Sequence, residues 1–256
     1  MLKAANVDVR MDNGVATLTI SDEKRMNLMN TPTMERLLAA GEALRADPDL
    51  RLVVLTGGGN KAFIGGADIN ELAGLDAHKG RAFITLVHQV CHLFRSLPVP
   101  SIARINGFCL GAGMEVAASC DLRIGALESR YGMPEVQLGL PSVVEAVMLP
   151  TLIGWGRTRE ILYTGDVFDA QWAGQIGFLE RTAPLAELDE AMRPWIESIL
   201  AAEPGAVRIQ KRLIESWLDT GVAAGVQESI DAFSQALRSP APGERLQAFL
   251  DRPRGN

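Results

Sequence analysis

The sequence predicts an α/β fold that ends in an all-helical region. Before about Ala186, apolar β-branched segments alternate with segments of helical periodicity, a pattern that is typical of α/β architectures. After Ala186 the periodicity is helical throughout, with breaks at residues 204–205, 221 and 240–242. Hydrophobic residues make up 47% of the 256 residues and aromatic residues only 5%, so the predicted core is mainly aliphatic.

The first elements are predicted to be a β-hairpin and a helix. Residues 7–11 and 15–20 alternate between apolar and polar side chains, and the DNG sequence between them is a strong hairpin signal. A helix is predicted to begin at the TP pair of residues 31–32. Apolar residues recur at helical spacing until the DP pair of residues 47–48 ends this helix.

Three β-branched runs farther along the chain are predicted to be strands. Residues 51–57 lead into a glycine-rich loop, and residues 101–106 follow the prolines that end a helix over about 79–96. The third run covers residues 121–126. The helical segments of the C-terminal region are predicted over residues 186–201, 204–218, 222–238 and 243–250.

Charge, cysteine content and the lack of long apolar runs favour a soluble, cytoplasmic protein. The net charge is −6 and no basic block is present, so we expect no nucleic-acid partner. Cys91, Cys109 and Cys120 lie at irregular spacing in apolar segments, which favours buried thiols in a reducing compartment. No apolar run approaches the roughly 18 residues that span a bilayer, and the N-terminus lacks the apolar segment of a secretory signal.

One carboxylate, Glu115, lies in a segment of small and apolar residues, GFCLGAGMEVAASCDL (residues 107–122). The glycines at residues 111 and 113 allow a sharp turn into a helix, and small residues at a helix start leave its amides accessible. Such amides can stabilise an oxygen that becomes negative during a reaction. The alternative is a packing turn in which Glu115 caps the helix or faces water. A dinucleotide site is not indicated, because Val116 replaces the third glycine.

A second glycine-rich loop and a second glutamate favour the catalytic interpretation. The segment KAFIGGADINEL (residues 61–72) follows an apolar strand, passes through a GGA turn, and begins a short helix at Asp68. Glu135 follows Pro134 in YGMPEVQLGLP. Two strand ends could each supply one amide to an oxyanion hole, and two glutamates beside them form an acid/base site for a carbonyl substrate.

These three segments resemble the conserved blocks of the enoyl-CoA hydratase/isomerase family, the crotonase superfamily. The resemblance makes Ala67 and Ala112 the backbone donors of the oxyanion hole and Glu115 and Glu135 the catalytic carboxylates. It implies that Glu115 is the base and Glu135 the acid in the addition of water to a 2-enoyl-CoA thioester. The turn RMN (residues 25–27) resembles the family's CoA-contacting turn. The substrate-binding positions implied in this way are Arg25, Met26, Gly65, Asp68, Ile69 and Gly111.

The resemblance also implies an architecture and an assembly. We expect a spiral of ββα units (a ClpP/crotonase fold) with the acyl-CoA site over residues 1–190, followed by a C-terminal helical region over residues 191–256. That region would form homotrimers that pair into homohexamers. Coenzyme A enters as part of the thioester substrate, and the chemistry requires no metal or redox cofactor.

The sequence departs from the family pattern directly after Glu135. Many hydratases continue with a glycine-rich loop, whereas this chain has LGLPSVVEAV, which places an additional carboxylate at Glu145. We interpret Glu145 as a first-turn helix residue favoured by the helix dipole, the alternative being a third active-site acid. The departure leaves a Δ3,Δ2-enoyl-CoA isomerase, another enolate-forming reaction, or a catalytically weak acyl-CoA-binding protein as alternatives to a hydratase.

Two other site types are not favoured. His88, Cys91 and His92 share one face of a predicted helix, which could suggest a metal site, but no matching pair of ligands occurs elsewhere in the sequence. A Ser-His-Asp thioesterase would act on the same substrate class, but the chain contains no GxSxG motif.

Overall fold

The computed structural model describes residues 3–251 of the chain, which form two compact units. The first unit ends at Ile196 and combines sheets with helices, and the second begins at Glu197 and is helical over the described residues. The α/β class with a helical C-terminal region is therefore confirmed. Between residues 3 and 251, no helix combines the length and apolar character needed to cross a membrane.

Within the described residues, the first unit contains a six-stranded sheet and a four-stranded sheet. The strand orders are β1-β2-β3-β5-β7-β10 and β4-β6-β8-β9, respectively. The strands are β1 (Asn6–Asp12), β2 (Val15–Ser21), β3 (Leu52–Gly57), β4 (Ala62–Ile64), β5 (Ser101–Ile105), β6 (Phe108–Leu110), β7 (Leu122–Ala126), β8 (Arg130–Gly132), β9 (Val167–Asp169) and β10 (Arg181–Ala183). From β3 to β8, consecutive strands alternate between the two sheets, which is the expected repeat of paired strands.

The helices separate these strand pairs and then continue alone into the C-terminal region. They are α1 (Thr31–Arg45), α2 (Ile69–Leu72), α3 (Ala77–Ser96), α4 (Ala112–Ala118), α5 (Leu149–Thr164), α6 (Ala170–Gln175), α7 (Leu188–Ala201), α8 (Pro204–Asp219), α9 (Val222–Ala236) and α10 (Ala241–Leu250). Short 3-10 helices also occur, two of them over residues 134–138 and 144–148.

The N-terminal hairpin and helix form where the sequence predicts them. Strands β1 and β2 pair in antiparallel register through a two-residue turn in which Asn13 has φ 47° and Gly14 has φ 79°. Both values lie in the left-handed region that an Asn-Gly turn accepts readily. Helix α1 begins after Asn30, whose side chain accepts a hydrogen bond from the backbone amide of Thr33 at 3.0 Å.

One buried asparagine connects the ends of the strands that carry the glycine-rich loops. The Asn106 side chain donates hydrogen bonds to the carbonyl oxygens of Gly57 (2.9 Å) and Gly59 (2.6 Å). It also accepts one from the Gly57 amide at 3.2 Å. A buried amide with its donors and acceptor paired fixes the local backbone, because leaving any of them unpaired is costly. The end of β5 is therefore held against the end of β3.

The second unit is held together by contacts between neighbouring helices. Glu203 caps α8 by accepting a hydrogen bond from the Gly205 amide at 2.9 Å. Ser216 of α8 donates a hydrogen bond to Glu228 of α9. The absence of a side chain at Gly225 lets α9 approach Trp217, because a Cβ there would lie 3.1 Å from the indole ring. The predicted helices after Ala186 are thus confirmed.

Candidate active site

The predicted oxyanion donors follow the ends of two neighbouring strands. Strands β4 and β6 run parallel, and Ala67 and Ala112 lie just beyond their carboxyl ends. A Cβ on Gly66 would lie 3.3 Å from the carbonyl oxygen of Leu110, so the two loops approach each other closely. Gly66 has φ 115°, a conformation that glycine accepts and other residues rarely adopt. The structure therefore brings the two predicted loops together.

The amides of these two alanines are available to a ligand. The residues on either side of Ala67 bond to Met29: the Met29 amide donates to the carbonyl of Gly66 at 2.9 Å, and the Asp68 amide donates to the carbonyl of Met29 at 2.8 Å. Met29 and Ala67 thus form an isolated parallel bridge, in which the hydrogen bonds come from the residues on either side of Ala67 and not from the Ala67 amide. Ala112 is the first residue of α4, where an amide has no acceptor within the helix. Within residues 3–251, neither amide has a hydrogen-bond acceptor.

Glu115 is buried one turn after Ala112, which excludes the alternative in which it faces water. Its relative exposure is 4%. Burial, followed by the negative charges of Glu135 and Glu145, raises the pKa of Glu115 from 4.5 to about 8, and the backbone amides of Ala146 and Val143 offset part of this increase. The Glu115 carboxyl group therefore holds a proton at neutral pH in the free protein.

Glu135 is half-buried and lies beside the turn that precedes Ala112. Gly111 has φ 50°, and a Cβ there would lie only 2.3 Å from Oε1 of Glu135. The hydroxyl of Ser142 donates a hydrogen bond to Oε2 of Glu135 at 2.7 Å. Because the Glu135 charge also raises the pKa of Glu115, the two predicted catalytic carboxylates interact electrostatically. Ser142 was not predicted as a site residue, although it lies in the departing segment LGLPSVVEAV.

Glu145 lies in the first turn of the 3-10 helix of residues 144–148, as interpreted from the sequence, but the helix dipole is not its main partner. Its side chain is only 3% exposed, and its charge acts on the neighbouring Glu115. Oε1 of Glu145 lies 2.8 Å from Nδ1 of His88 on α3. The 3-10 helix of residues 144–148 packs against α3 and α4, and this packing buries Glu145 and Ala146. The site therefore contains a third carboxylate.

His88 and Cys91, which share one face of α3, lie next to the carboxylate of Glu145. His88 pairs with Glu145, and Cys91 is fully buried beneath it. Among the described residues, no group of three or more histidine, cysteine, aspartate or glutamate side chains is arranged to hold a metal ion.

The predicted substrate-binding residues of the first turn contact the glycine-rich loop. The Arg25 guanidinium pairs with the buried carboxylate of Asp68. The carbonyl of Met26 accepts a hydrogen bond from the Gly65 amide at 2.8 Å. Ile69 begins α2 with its side chain 58% exposed. These contacts fasten the RMN turn to the loop that carries Ala67, and they bring five predicted positions into one region.

An apolar cavity of about 400 Å³ lies between α2, α3 and the segment that follows Glu135. Its lining includes Leu72, Leu75, Phe83, Ile84, Leu140 and Val143. Val143 lines this cavity, and its backbone amide interacts with Glu115. An apolar pocket thus borders the carboxylate cluster. No local sequence pattern indicates this pocket, because residues 72–84 and residues 140–143, which form its walls, are more than 50 residues apart in the chain.

Comparisons with known proteins show which family this chain resembles. A sequence model of the enoyl-CoA hydratase/isomerase family matches residues 10–254. The chain is 33% identical over 252 residues to a crotonyl-CoA hydratase of Syntrophomonas wolfei, covering 98% of this chain and 97% of that protein. It is 30% identical over 248 residues to a short-chain-enoyl-CoA hydratase of Clostridium acetobutylicum, covering 96% and 95%, respectively. An enoyl-CoA hydratase structure from Bacillus anthracis superposes with a TM-score of 0.92 at 31% identity, covering 96% of each chain.

Proposed function

The chain belongs to the enoyl-CoA hydratase/isomerase family, and we propose that it hydrates the 2,3 double bond of a short-chain 2-enoyl-CoA thioester. The enzyme is a hydro-lyase. The observation that carries the proposal is the juxtaposition of Glu115, which is protonated at neutral pH, with Glu135 beside two available backbone amides. A protein that only binds acyl-CoA has no need of a paired acid and base.

The two amides would hold the thioester oxygen. As water adds to C3 of the substrate, negative charge develops on this oxygen, and the Ala67 and Ala112 amides would donate to it. Losing one such donor typically costs about 3–4 kcal/mol of transition-state stabilisation. The RMN turn of residues 25–27, with Arg25 half-exposed at its surface, would contact the CoA portion of the substrate.

The two glutamates would hold the attacking water between them. One ionised carboxylate takes a proton from water as its oxygen bonds to C3, and one protonated carboxyl group delivers a proton to C2. Because the groups interact, the pair titrates as a unit, and we assign acid and base functions to the pair. One water molecule accounts for both the hydroxyl group added to C3 and the proton gained at C2, so the chemistry needs no metal or redox cofactor.

The apolar cavity would accept the acyl chain. Its volume of about 400 Å³ and its mainly apolar lining, which also includes Asp76, suit a hydrocarbon chain, and we propose a short one. The names of the two relatives, crotonyl-CoA hydratase and short-chain-enoyl-CoA hydratase, support this chain length.

A panel of thioesters tests the activity. We expect crotonyl-CoA and hexenoyl-CoA to lose the absorbance of the conjugated thioester on addition of the enzyme, and decenoyl-CoA to react more slowly. A 3-enoyl-CoA substrate is included to detect an isomerase, and calorimetry with butyryl-CoA measures binding without reaction. Turnover of the 3-enoyl substrate alone, or binding without any turnover, contradicts a hydratase.

We also propose that the chain assembles into homotrimers or homohexamers. The second unit exposes large apolar side chains, with Val222 87%, Phe233 70% and Leu250 72% exposed. Such a concentration of apolar surface is typical of a subunit interface. Light scattering should give three or six times the chain mass of 27.6 kDa, and V222E combined with F233E should reduce it. A wild-type mass of one chain contradicts this assembly.

A further inference from the structure

The buried carboxylate of Glu145 and the half-exposed imidazole of His88 have no role in the mechanism described above. Nδ1 of His88 lies 2.8 Å from Oε1 of Glu145, and this contact connects α3 to the 3-10 helix of residues 144–148. Oε2 of Glu145 is buried and has no hydrogen-bond partner among the described residues. Burying an ionised carboxylate costs free energy unless a partner compensates for the lost hydration. We therefore infer that a carboxylate at this position has a function.

The backbone on either side of Glu145 faces the catalytic carboxyl group. The 3-10 helix of residues 144–148 packs directly against α4, which carries Glu115, and the amides of Val143 and Ala146 partly offset the rise in the pKa of Glu115. Between them, Val144 has φ 40°, a left-handed conformation that a β-branched residue adopts only under strain. Such strain persists only where surrounding contacts impose it, and the bond from His88 to Glu145 is a contact of this kind.

We propose that Glu145 and His88 are positioning residues for Glu115. Their bond fastens the strained segment of residues 143–146 to α3, and it thereby fixes two amides and one negative charge that face Glu115. This proposal rests on the proposed hydratase activity and deepens it. It gives a function to the part of LGLPSVVEAV in which the chain departs from the glycine-rich loop of many hydratases.

The ionisable groups around this cluster come from each element packed against it. Glu115 on α4 faces Glu135 and Glu145, and α3 contributes Cys91 and His88. Burial raises the pKa of the Cys91 thiol well above its usual value, and the charges of Glu145 and Glu115 raise it further, so the thiol stays neutral. Removing the Glu145 charge therefore acts on Glu115 through a single like-charge interaction and lowers the pKa of Glu115.

The test uses E145Q, H88A and H88N, assayed with crotonyl-CoA over a range of pH. E145Q keeps the shape of the side chain and its acceptor but removes the charge, and H88N keeps a donor near the position of Nδ1. For E145Q and H88A we expect kcat to fall about tenfold, the effect of losing one charge-assisted hydrogen bond, with KM within about twofold. H88N should recover most of kcat. In E145Q the alkaline decline of kcat/KM should also move down by about 0.5–1 pH unit.

The matched control is H92A. His92 stacks on His88 with ring centroids 5.9 Å apart, but it is exposed, so its removal leaves the bond to Glu145 in place. Its kcat should stay within about twofold of wild type. Thermal melts of every variant separate loss of folded protein from loss of turnover.

The outcomes separate this proposal from the proposed function. An active wild-type enzyme whose E145Q and H88A variants keep both kcat and the alkaline decline overturns the positioning role alone. The same holds if activity falls only in proportion to folded protein. A wild-type enzyme that hydrates no 2-enoyl-CoA overturns the proposed function, and the positioning role with it.

Discussion

E115Q and E135Q should each lower kcat for the hydration of crotonyl-CoA by about 10²- to 10⁴-fold, the usual contribution of a positioned acid or base. Both substitutions keep the size of the side chain and remove only its ability to gain or lose a proton. The amides of Ala67 and Ala112 belong to the backbone, so they remain in place. Binding of butyryl-CoA, measured by calorimetry, should therefore change little.

The double variant E115Q/E135Q sharpens this expectation. If both carboxylates serve one step, removing the second after the first costs little more, so the double variant should be about as slow as the slower single variant. E42Q, which changes an exposed glutamate of α1, controls for a general effect of lost charge. A kcat within tenfold of wild type for either single variant contradicts the paired mechanism.

The fold was predictable from the sequence where local signals are strong. The Asn-Gly turn, the TP pair of residues 31–32 that begins α1, and the long apolar run of β3 each determine their own element, and the structure agrees with all of them. Strand β6 was missed. It has only three residues, and it is a strand because β4 and β8 lie on either side of it, which no local pattern can indicate.

The candidate site was predictable in part, and for a similar reason. Gly65, Ala67, Ala112 and Glu115 lie in contiguous motifs, and the pairing of β4 with β6 brings these motifs together. The partner of Glu145 lies 57 residues away on α3, so the sequence alone suggested a helix-dipole role instead. The roles of Ala67 and Ala112 as donors, and of the glutamates as acid and base, stay predictions.

The burial that suits Glu115 for catalysis should also destabilise the fold at neutral and alkaline pH. Its pKa is about 8 in the folded protein against an ordinary value of 4.5, so folding takes up a proton at intermediate pH. The stability that Glu115 contributes is complete below about pH 4.5, and it is lost as pH rises through about 8. In E115Q no carboxyl group has to take up a proton on folding, so this loss of stability with rising pH is absent. At pH 7 this variant should therefore be more stable than wild type by on the order of 3 kcal/mol.

Urea unfolding at a series of pH values measures this effect, because the gain should depend on pH in a specific way. The difference between E115Q and wild type should be small near pH 4.5 and should grow up to about pH 8, since only the wild-type protein must take up the proton. Because the side chain of Glu42 is 62% exposed, the free energy of unfolding of E42Q should equal that of wild type at every pH. An E115Q protein that is no more stable at pH 8 than wild type would show that Glu115 is ionised in the fold. The same enzyme would then need another group as its acid, so this measurement tests the mechanism without any substrate.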